Sequence, residues 1–296
     1  MPVCVIFNPA ARGNKARHFR DHLARLSAEV TLKPTYAPGS GRPLAAEAVR
    51  EGFDTIVAAG GDGTLNEVLN GLDEAPDGFG RTRLAVLPLG TINVFARELG
   101  IPLSFEAAWS VICQGKETLI DVPEVEFATP GGLARRLFAQ LAGAGLDSRA
   151  IELVNWEQKK TIGPLAYVVA GFKALAEVKP AIIASGAGVG AQGELVLIGN
   201  GRYYGGHFSL FPNADLSDGL LDVTVFPKAN WETLLRSGWG WMTNQIHGMA
   251  GCRTFQAGSF TLTSATSVAL QLDGDNVGHL PAKFSLRPRL LRVVVP

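Results

Sequence analysis

The chain has 296 residues, 47% hydrophobic and 18% charged, which excludes a disordered protein and leaves room for two domains. Its 27 basic and 27 acidic residues cancel, so nothing in the bulk charge points to nucleic acid, and any attraction to a membrane has to come from local patches. Cys4, Cys113 and Cys252 show neither zinc-ligand spacing nor the even count of a disulfide framework, so reduced thiols in a cytosolic setting are expected.

The first residues, MPVCVIFNPAARG, hold no long apolar run behind a basic start and do not read as a signal peptide. VCVIFNP reads as a buried strand that ends at Pro9. Residues 15–26 read as a helix with Phe19, Leu23 and Leu26 on one face. VTLKPTY is a second strand, and residues 44–50 suit a helix. TIVAAGG is a continuous apolar strand followed by LNEVLNGL at helical spacing. LAVLPLG is the next strand, followed by a helix over 93–99. This alternation predicts a parallel sheet with helices on both faces, and such sheets bind ligands at the carboxyl ends of their strands.

From about Val122 the pattern changes. LVLIGN, HFSLFP, LLDVTVF, FTLTS and VALQLDG read as strands separated by turn signals, which suggests an antiparallel sandwich or barrel. Helical insertions are expected near 148–178 and 231–249. The apolar run 165–178 is broken by Gly171, Lys173 and Glu177, too short and too polar to span a bilayer. The fold class expected is therefore α/β plus β. An N-terminal parallel α/β nucleotide domain covers 1–122, with 286–296 returning to it, and an antiparallel β-sandwich domain with helical insertions covers 123–285.

Two loops carry the chemistry. Gly60-Gly61-Asp62-Gly63-Thr64 sits between an apolar strand and a helix. Glycines let backbone N–H groups approach a polyphosphate, and the helix N-terminus adds partial positive charge. Asp62 can hold Mg²⁺ directly or through water, and Thr64 can donate to a phosphate. The plainer alternative is a tight turn with Asp62 or Thr64 as a cap. No Walker lysine follows, so this is not a P-loop. The second loop runs Leu89-Gly90-Thr91-Ile92-Asn93-Val94-Phe95-Ala96-Arg97, again at a strand end that opens a helix.

Together the two loops, with Leu65-Asn66-Glu67-Val68 and Pro88, resemble the diacylglycerol kinase catalytic domain family of soluble lipid kinases, which includes sphingosine and ceramide kinases. Further likenesses run along the chain. Asn8-Pro9 with Gly13 resembles the family's first phosphate loop, with Ala11 where a serine is usual. Thr35 and Gly39 resemble its T-x-x-x-G segment, and Gly143-Ala144-Gly145-Leu146-Asp147 its segment near the lipid head. Gly205-Gly206 and Asp218-Gly219-Leu220-Leu221-Asp222 resemble the stretch around DGLLDV. Asp273-Gly274-Asp275 resembles DGE, with Asp in place of Glu. Val94 replaces an Asp of the family pattern, which counts against an ordinary diacylglycerol kinase.

The resemblance implies an ATP-dependent lipid kinase. Nucleotide contacts fall on Asn8, Gly13, Thr35, Gly60, Gly61, Asp62, Gly63, Thr64, Asn66, Glu67, Gly90 and Thr91. Asn93 and Asp147 are expected near the acceptor. Asp273, in a turn after a strand, is assigned as general base, with Asp62 and Asp275 beside it in the catalytic set. Asp215, Asp218 and Leu220 are implied as ligands of a structural Mg²⁺, for which oxygen-only ligation is suitable. ATP and Mg²⁺ are the cofactors expected. The expected partner is a membrane lipid met at the bilayer surface on the cytoplasmic side, without nucleic acid, and a homodimer is left open. Helices near Trp156–Val178, with Lys159, Lys160 and Lys173, and near Trp231–Met249 are candidates for lipid contact or for ordinary packing. The acceptor is left open among diacylglycerol, sphingoid base, ceramide and phosphatidylglycerol. An NAD kinase-like enzyme and a catalytically weak lipid-binding regulator are the alternative functions.

Overall fold

Residues 2–9, 19, 30–146, 148–149, 179–186, 188–204, 206, 208–230 and 251–296 are described by a computed structural model. Strands β1 (Val3–Phe7), β2 (Thr31–Pro34), β3 (Thr55–Gly60) and β4 (Arg83–Pro88) pair in parallel in the order β2-β1-β3-β4. All six residues of β3 are buried, as expected of a strand covered on both faces. Helix Asp62–Glu74 buries Leu65, Val68, Leu69 and Leu72 at helical spacing. It crosses helix Gly41–Arg50 closely at Gly71, where an added Cβ would run into the carbonyl of Arg42. Truncating Leu69 or Leu72 to Ala would cost about 2–5 kcal/mol. Phe19 packs edge-on to Phe7, ring centroids 5.4 Å apart, and lies 6.2 Å from Phe105 at the start of helix Phe105–Gln114.

The remaining described strands pair antiparallel among themselves. In chain order come β5 (Lys116–Thr129), β6 (Gly132–Leu137), β7 (Leu141–Gly145), β8 (Ile182–Gly186), β9 (Val189–Gly193) and β10 (Leu195–Gly199). The short β11 (Tyr203–Tyr204) and β12 (Phe208–Ser209) form a separate hairpin. Then follow β13 (Leu221–Phe226), β14 (Arg253–Ala257), β15 (Ser259–Ser264), β16 (Ala269–Leu272) and β17 (Asp275–Val295). The order β14-β13-β10-β7-β16-β17 runs directly into β4, so one continuous sheet links both parts of the chain. A second core lies here, with Phe284 stacked on Phe260 at 4.8 Å and edge-on to Phe138 at 6.3 Å.

β5 and β17 form the seam. Residues 282–287 pair with 127–122, and after a register shift residues 291–295 pair with 120–116. Val293 also pairs in parallel with Leu84 of β4. At the shift Arg289 takes φ 46°, and Asp121 accepts its N–H at 2.7 Å.

The α/β-plus-β fold class holds. LVLIGN, LLDVTVF, FTLTS and VALQLDG coincide with β10, β13, β15 and β16. HFSLFP does not form one strand: only Phe208–Ser209 pairs, while Leu210 and Phe211 leave the strand to enter a third apolar cluster with Leu195, Leu197 and Phe226. Helices 78–81 and 105–114, strands β5 to β9, β11 and β14, and most of β17 went unread. β5 mixes charged, apolar and proline residues (KETLIDVPEVEFAT), and its first four are exposed, so neither simple period emerges. The boundary expected after residue 122 falls inside β5. The helix expected over 15–26 and the insertions over 148–178 and 231–249 lie outside the described residues, apart from Phe19, Ser148 and Arg149.

Candidate functional site

Both glycine loops leave adjacent parallel strands at their carboxyl ends. β3 delivers Gly60–Thr64 and β4 delivers Leu89–Asn93. Gly60 O accepts hydrogen bonds from Leu89 N at 2.9 Å and Gly90 N at 3.1 Å. A Cβ on Gly90 would lie 2.5 Å from Gly61 Cα, so the loops approach to a distance only glycine permits. At Gly60 the Thr64 side chain occupies the space a Cβ would need.

Asp62 binds the loops together. Its Oδ1 accepts the Phe95 N–H at 3.4 Å, so the carboxylate caps the helix Val94–Glu98 of the second loop rather than its own helix. Burial raises its pKa, opposed by hydrogen bonds from the backbone of residues 93–95. Asn93, 3% exposed, takes φ 55° and gives Nδ2 to Gly90 O at 2.7 Å while Oδ1 accepts Gly90 N at 3.0 Å. That side chain closes its own loop. Thr91 is exposed at the tip.

Glu67 reaches the other way. Its two oxygens accept Gly39 N and Gly41 N, both at 2.7 Å, fastening the loop that carries Thr35 and Gly39. Thr35 N in turn bonds Phe7 O at 2.8 Å, one residue before Asn8, which is exposed. Gly13 and Asp147 lie outside the described residues.

Asp273 is the hub that joins the two parts of the chain. It sits at φ 48° between β16 and β17. Its Oδ1 accepts Gln140 N at 2.9 Å and Leu141 N at 3.1 Å, and its Oδ2 accepts Asn66 Nδ2 and Ala139 N, both at 2.8 Å. Four donors fill the four lone-pair directions of a carboxylate. Burial nevertheless outweighs them and raises its pKa. Asp275, two residues on and exposed, carries its Oδ2 to 3.7 Å from the position a Gly63 Cβ would take. It therefore stands beside the first glycine loop.

Three buried polar groups behind this hub escaped sequence reasoning. Glu98 accepts Arg202 N at 2.7 Å, Arg202 Nε at 2.8 Å, Tyr203 N at 3.1 Å and Gln140 Nε2 at 3.0 Å. Gln140 thus joins the helix of the second glycine loop to the backbone that cradles Asp273. Asn200 supports the same backbone, donating Nδ2 to Ala139 O at 3.0 Å and its N–H to Gln140 O at 2.9 Å. The one signal in sequence was Glu98 itself, an acid in the last turn of a helix, where the dipole opposes it.

Asp215, Asp218 and Leu220 lie on one turn. Asp218 Oδ1 accepts Leu220 N at 2.9 Å, Asp215 Oδ1 accepts Ser217 N at 2.9 Å, and Gly219 N donates to Asp121 Oδ2 at 2.7 Å. The Asp218 pKa is raised, first by burial and then by the negative charges of Asp215 and Asp121. Carboxylates that repel one another in this way fit the oxygen ligation of a divalent cation. Among the described residues there is no group of three or more His, Cys, Asp or Glu side chains arranged as metal ligands.

Residues 2–125 match the model of the diacylglycerol kinase catalytic domain, and residues 140–295 match that of the YegS C-terminal NAD kinase beta sandwich-like domain. A Pseudomonas aeruginosa protein named "Probable lipid kinase YegS-like" is 34% identical over 276 residues, 90% of this chain and 85% of that protein. A Staphylococcus aureus protein named "Diacylglycerol kinase" is 31% identical over 303 residues, 99% of this chain and 91% of that protein. The fold is similar to a crystal structure of a diacylglycerol kinase from Bacillus anthracis str. Sterne, with TM-score 0.79 and 24% identity, covering 100% of this chain and 97% of that one.

Proposed function

Because this chain belongs to the diacylglycerol kinase catalytic domain family and is a lipid kinase, we propose that it moves the γ-phosphate of ATP onto a hydroxyl of a membrane lipid in the cleft between its two glycine loops and the Asp273–Asp275 turn. The observation that carries this reading is the position of the Asp275 carboxylate next to Gly63, which brings a proton acceptor to the loop expected to hold the phosphates.

The backbone of Gly60–Thr64 and Gly90–Thr91 receives the phosphates. Glu67 holds the Thr35–Gly39 loop at the nucleotide's other end. The lipid hydroxyl gives its proton to Asp275 as its oxygen bonds to the γ-phosphorus. The bond from phosphorus to the bridging oxygen breaks, and ADP leaves. Asp273 was assigned the base role from sequence. Because both of its oxygens are doubly hydrogen-bonded, we read Asp273 as the group that positions Asp275, and Asp275 as the one that takes the proton. Asp62 likewise acts by fixing the second loop. Mg²⁺, when bound with ATP, supplies positive charge that stabilises the transferring group. A structural Mg²⁺ would be held by Asp218 with the carbonyls of Asp215 and Leu220.

No helix among the described residues is long and apolar enough to cross a membrane, and the acceptor is reached from the membrane surface, on the cytoplasmic side. Incubation with γ-labelled ATP and Mg²⁺ tests the reading. Micelles of diacylglycerol, sphingosine, ceramide or phosphatidylglycerol are offered in parallel with NAD. Label in a lipid product is the expected result. Label in NAD with none in any lipid would overturn it.

A further inference from the structure

Two exposed apolar side chains among the described residues lie on segments that touch beside the second glycine loop. Ile92, at the tip of the second glycine loop, is 45% exposed, and Phe208, on the short hairpin β11–β12, is 44% exposed. The hairpin meets the loop at Gly206, where a Cβ would lie 3.4 Å from Ile92 Cγ2. The contacts continue inward. Ile92 is two residues from Gly90, Gly90 abuts Gly61, and Gly63 faces Asp275. Ile92 and, through Gly206, the hairpin that carries Phe208 therefore lie on the side of the second glycine loop.

The chemistry around the pair is that of a bilayer interface. Half-buried Tyr203 and Tyr204 stand on the same hairpin, and the Arg202 guanidinium lies 5.4 Å from the Tyr203 ring centre. Arg97 donates Nε to Ile92 O at 2.9 Å, which places a second guanidinium at the base of the same tip. Exposed apolar side chains on segments that also carry tyrosine and a half-exposed arginine suit a surface whose interior is hydrocarbon and whose rim is phosphate. A protein partner would need a far wider apolar patch than two side chains.

We propose that Ile92 and Phe208 insert into the membrane surface as a docking lip, holding the mouth of the cleft against the bilayer that contains the acceptor. The proposal rests on the lipid kinase reading and extends it to the membrane-facing surface. Insertion removes two half-exposed side chains from water and presents the cleft to the headgroup layer. The lipid hydroxyl then has only a short distance to travel.

The test uses the full chain and vesicles of phosphatidylcholine mixed with phosphatidylglycerol, read by flotation. The double variant Ile92→Ser, Phe208→Ser should lower the bound-to-free ratio about tenfold, the order expected when two partly exposed apolar side chains no longer leave water. Ile92→Leu with Phe208→Leu should bind as wild type. Leu133→Ser alters a 70% exposed side chain on the β5–β6 hairpin and should have no effect. Wild-type binding in the double serine variant would overturn the proposal, as would an equal loss in Leu133→Ser or a wild-type protein that binds no vesicles. The two readings fail separately. A wild type that labels no lipid while the serine variant still loses vesicle binding removes the kinase reading and keeps the lip. An active wild type whose serine variant floats normally removes the lip alone.

Discussion

Asn66 and Asp273 lie 207 residues apart in sequence, and the Nδ2 of the first donates to Oδ2 of the second at 2.8 Å. This bond ties the helix after the first glycine loop to the turn that carries Asp275. Asn66 is held in turn by Asn70, whose Nδ2 donates to Asn66 Oδ1 at 3.1 Å. Asn66→Asp would set a second carboxylate against Asp273 and remove a donor. Turnover should fall at least ~10²-fold, and the variant should unfold at lower denaturant by about 2–4 kcal/mol, as for a buried group left unpaired. A urea melt with an activity assay on one preparation measures both. Unchanged turnover in a folded protein would show that the link plays no part in catalysis.

Asp273→Asn and Asp275→Asn should separate the hub from the base. An amide at 273 turns one acceptor into a donor facing donors, so stability should drop by about 3 kcal/mol, visible as a lower melting temperature. Asp275→Asn should leave nucleotide affinity close to wild type, while lipid phosphorylation falls at least ~10²-fold, the low end for loss of a general base. Calorimetric nucleotide binding and the phosphorylation rate check the pair. Full activity in Asp275→Asn would remove it from the mechanism.

Glu98→Gln is nearly isosteric yet cannot satisfy the four donors that converge on this side chain. Its new NH₂ must face another donor on either side. A loss of about 2–4 kcal/mol is expected, together with a lower kcat at little-changed ATP KM. If Glu98→Gln leaves kcat and melting both intact, the path from the second glycine loop through Gln140 to Asp273 is not coupled.

The carboxyl of Asp62 is raised above its ordinary 3.8 by burial. The folded state then holds its proton more tightly than the unfolded state, so this group contributes less stability as pH climbs from about 3.8 through the raised value. Denaturant unfolding of wild type and Asp62→Asn across that window should show a wild-type stability that falls relative to the variant as pH rises, and a constant difference above it. A difference that grows in favour of wild type would reverse the sign of the shift.

What could be read in sequence was whatever local pattern encodes. Gly60–Thr64 and Gly90–Thr91 announced themselves because close backbone approach demands glycine at fixed spacing between a strand and a helix. The parallel sheet followed from apolar runs separated by helical spacing. The role of Asp273 did not follow. Its four donors come from residues 66 and 139–141, and no local signal shows that three consecutive N–H groups will point at a turn more than one hundred residues away. Asp121 was equally silent, a single acid in the apolar run TLIDVP whose partners, Gly219 and Arg289, are supplied by tertiary structure. Asn93 is the opposite case, a motif residue whose side chain closes its own loop. A motif position near a ligand can be occupied by a residue that builds the loop.

The seam of β5 and β17 bears on any attempt to divide the protein. β17 lies against β4 at Val293 and against β5 from Ala282 to Val295, so a fragment stopping at residue 115 keeps β1 to β4 and loses both strands of the seam. Its β4 would end as a bare edge of six residues, five of them buried in the intact molecule. Unpaired edges of that kind recruit other chains. Such a fragment should come out of expression as aggregates, and heating the whole chain should give one transition for both cores, because neither can open without exposing the backbone of the other.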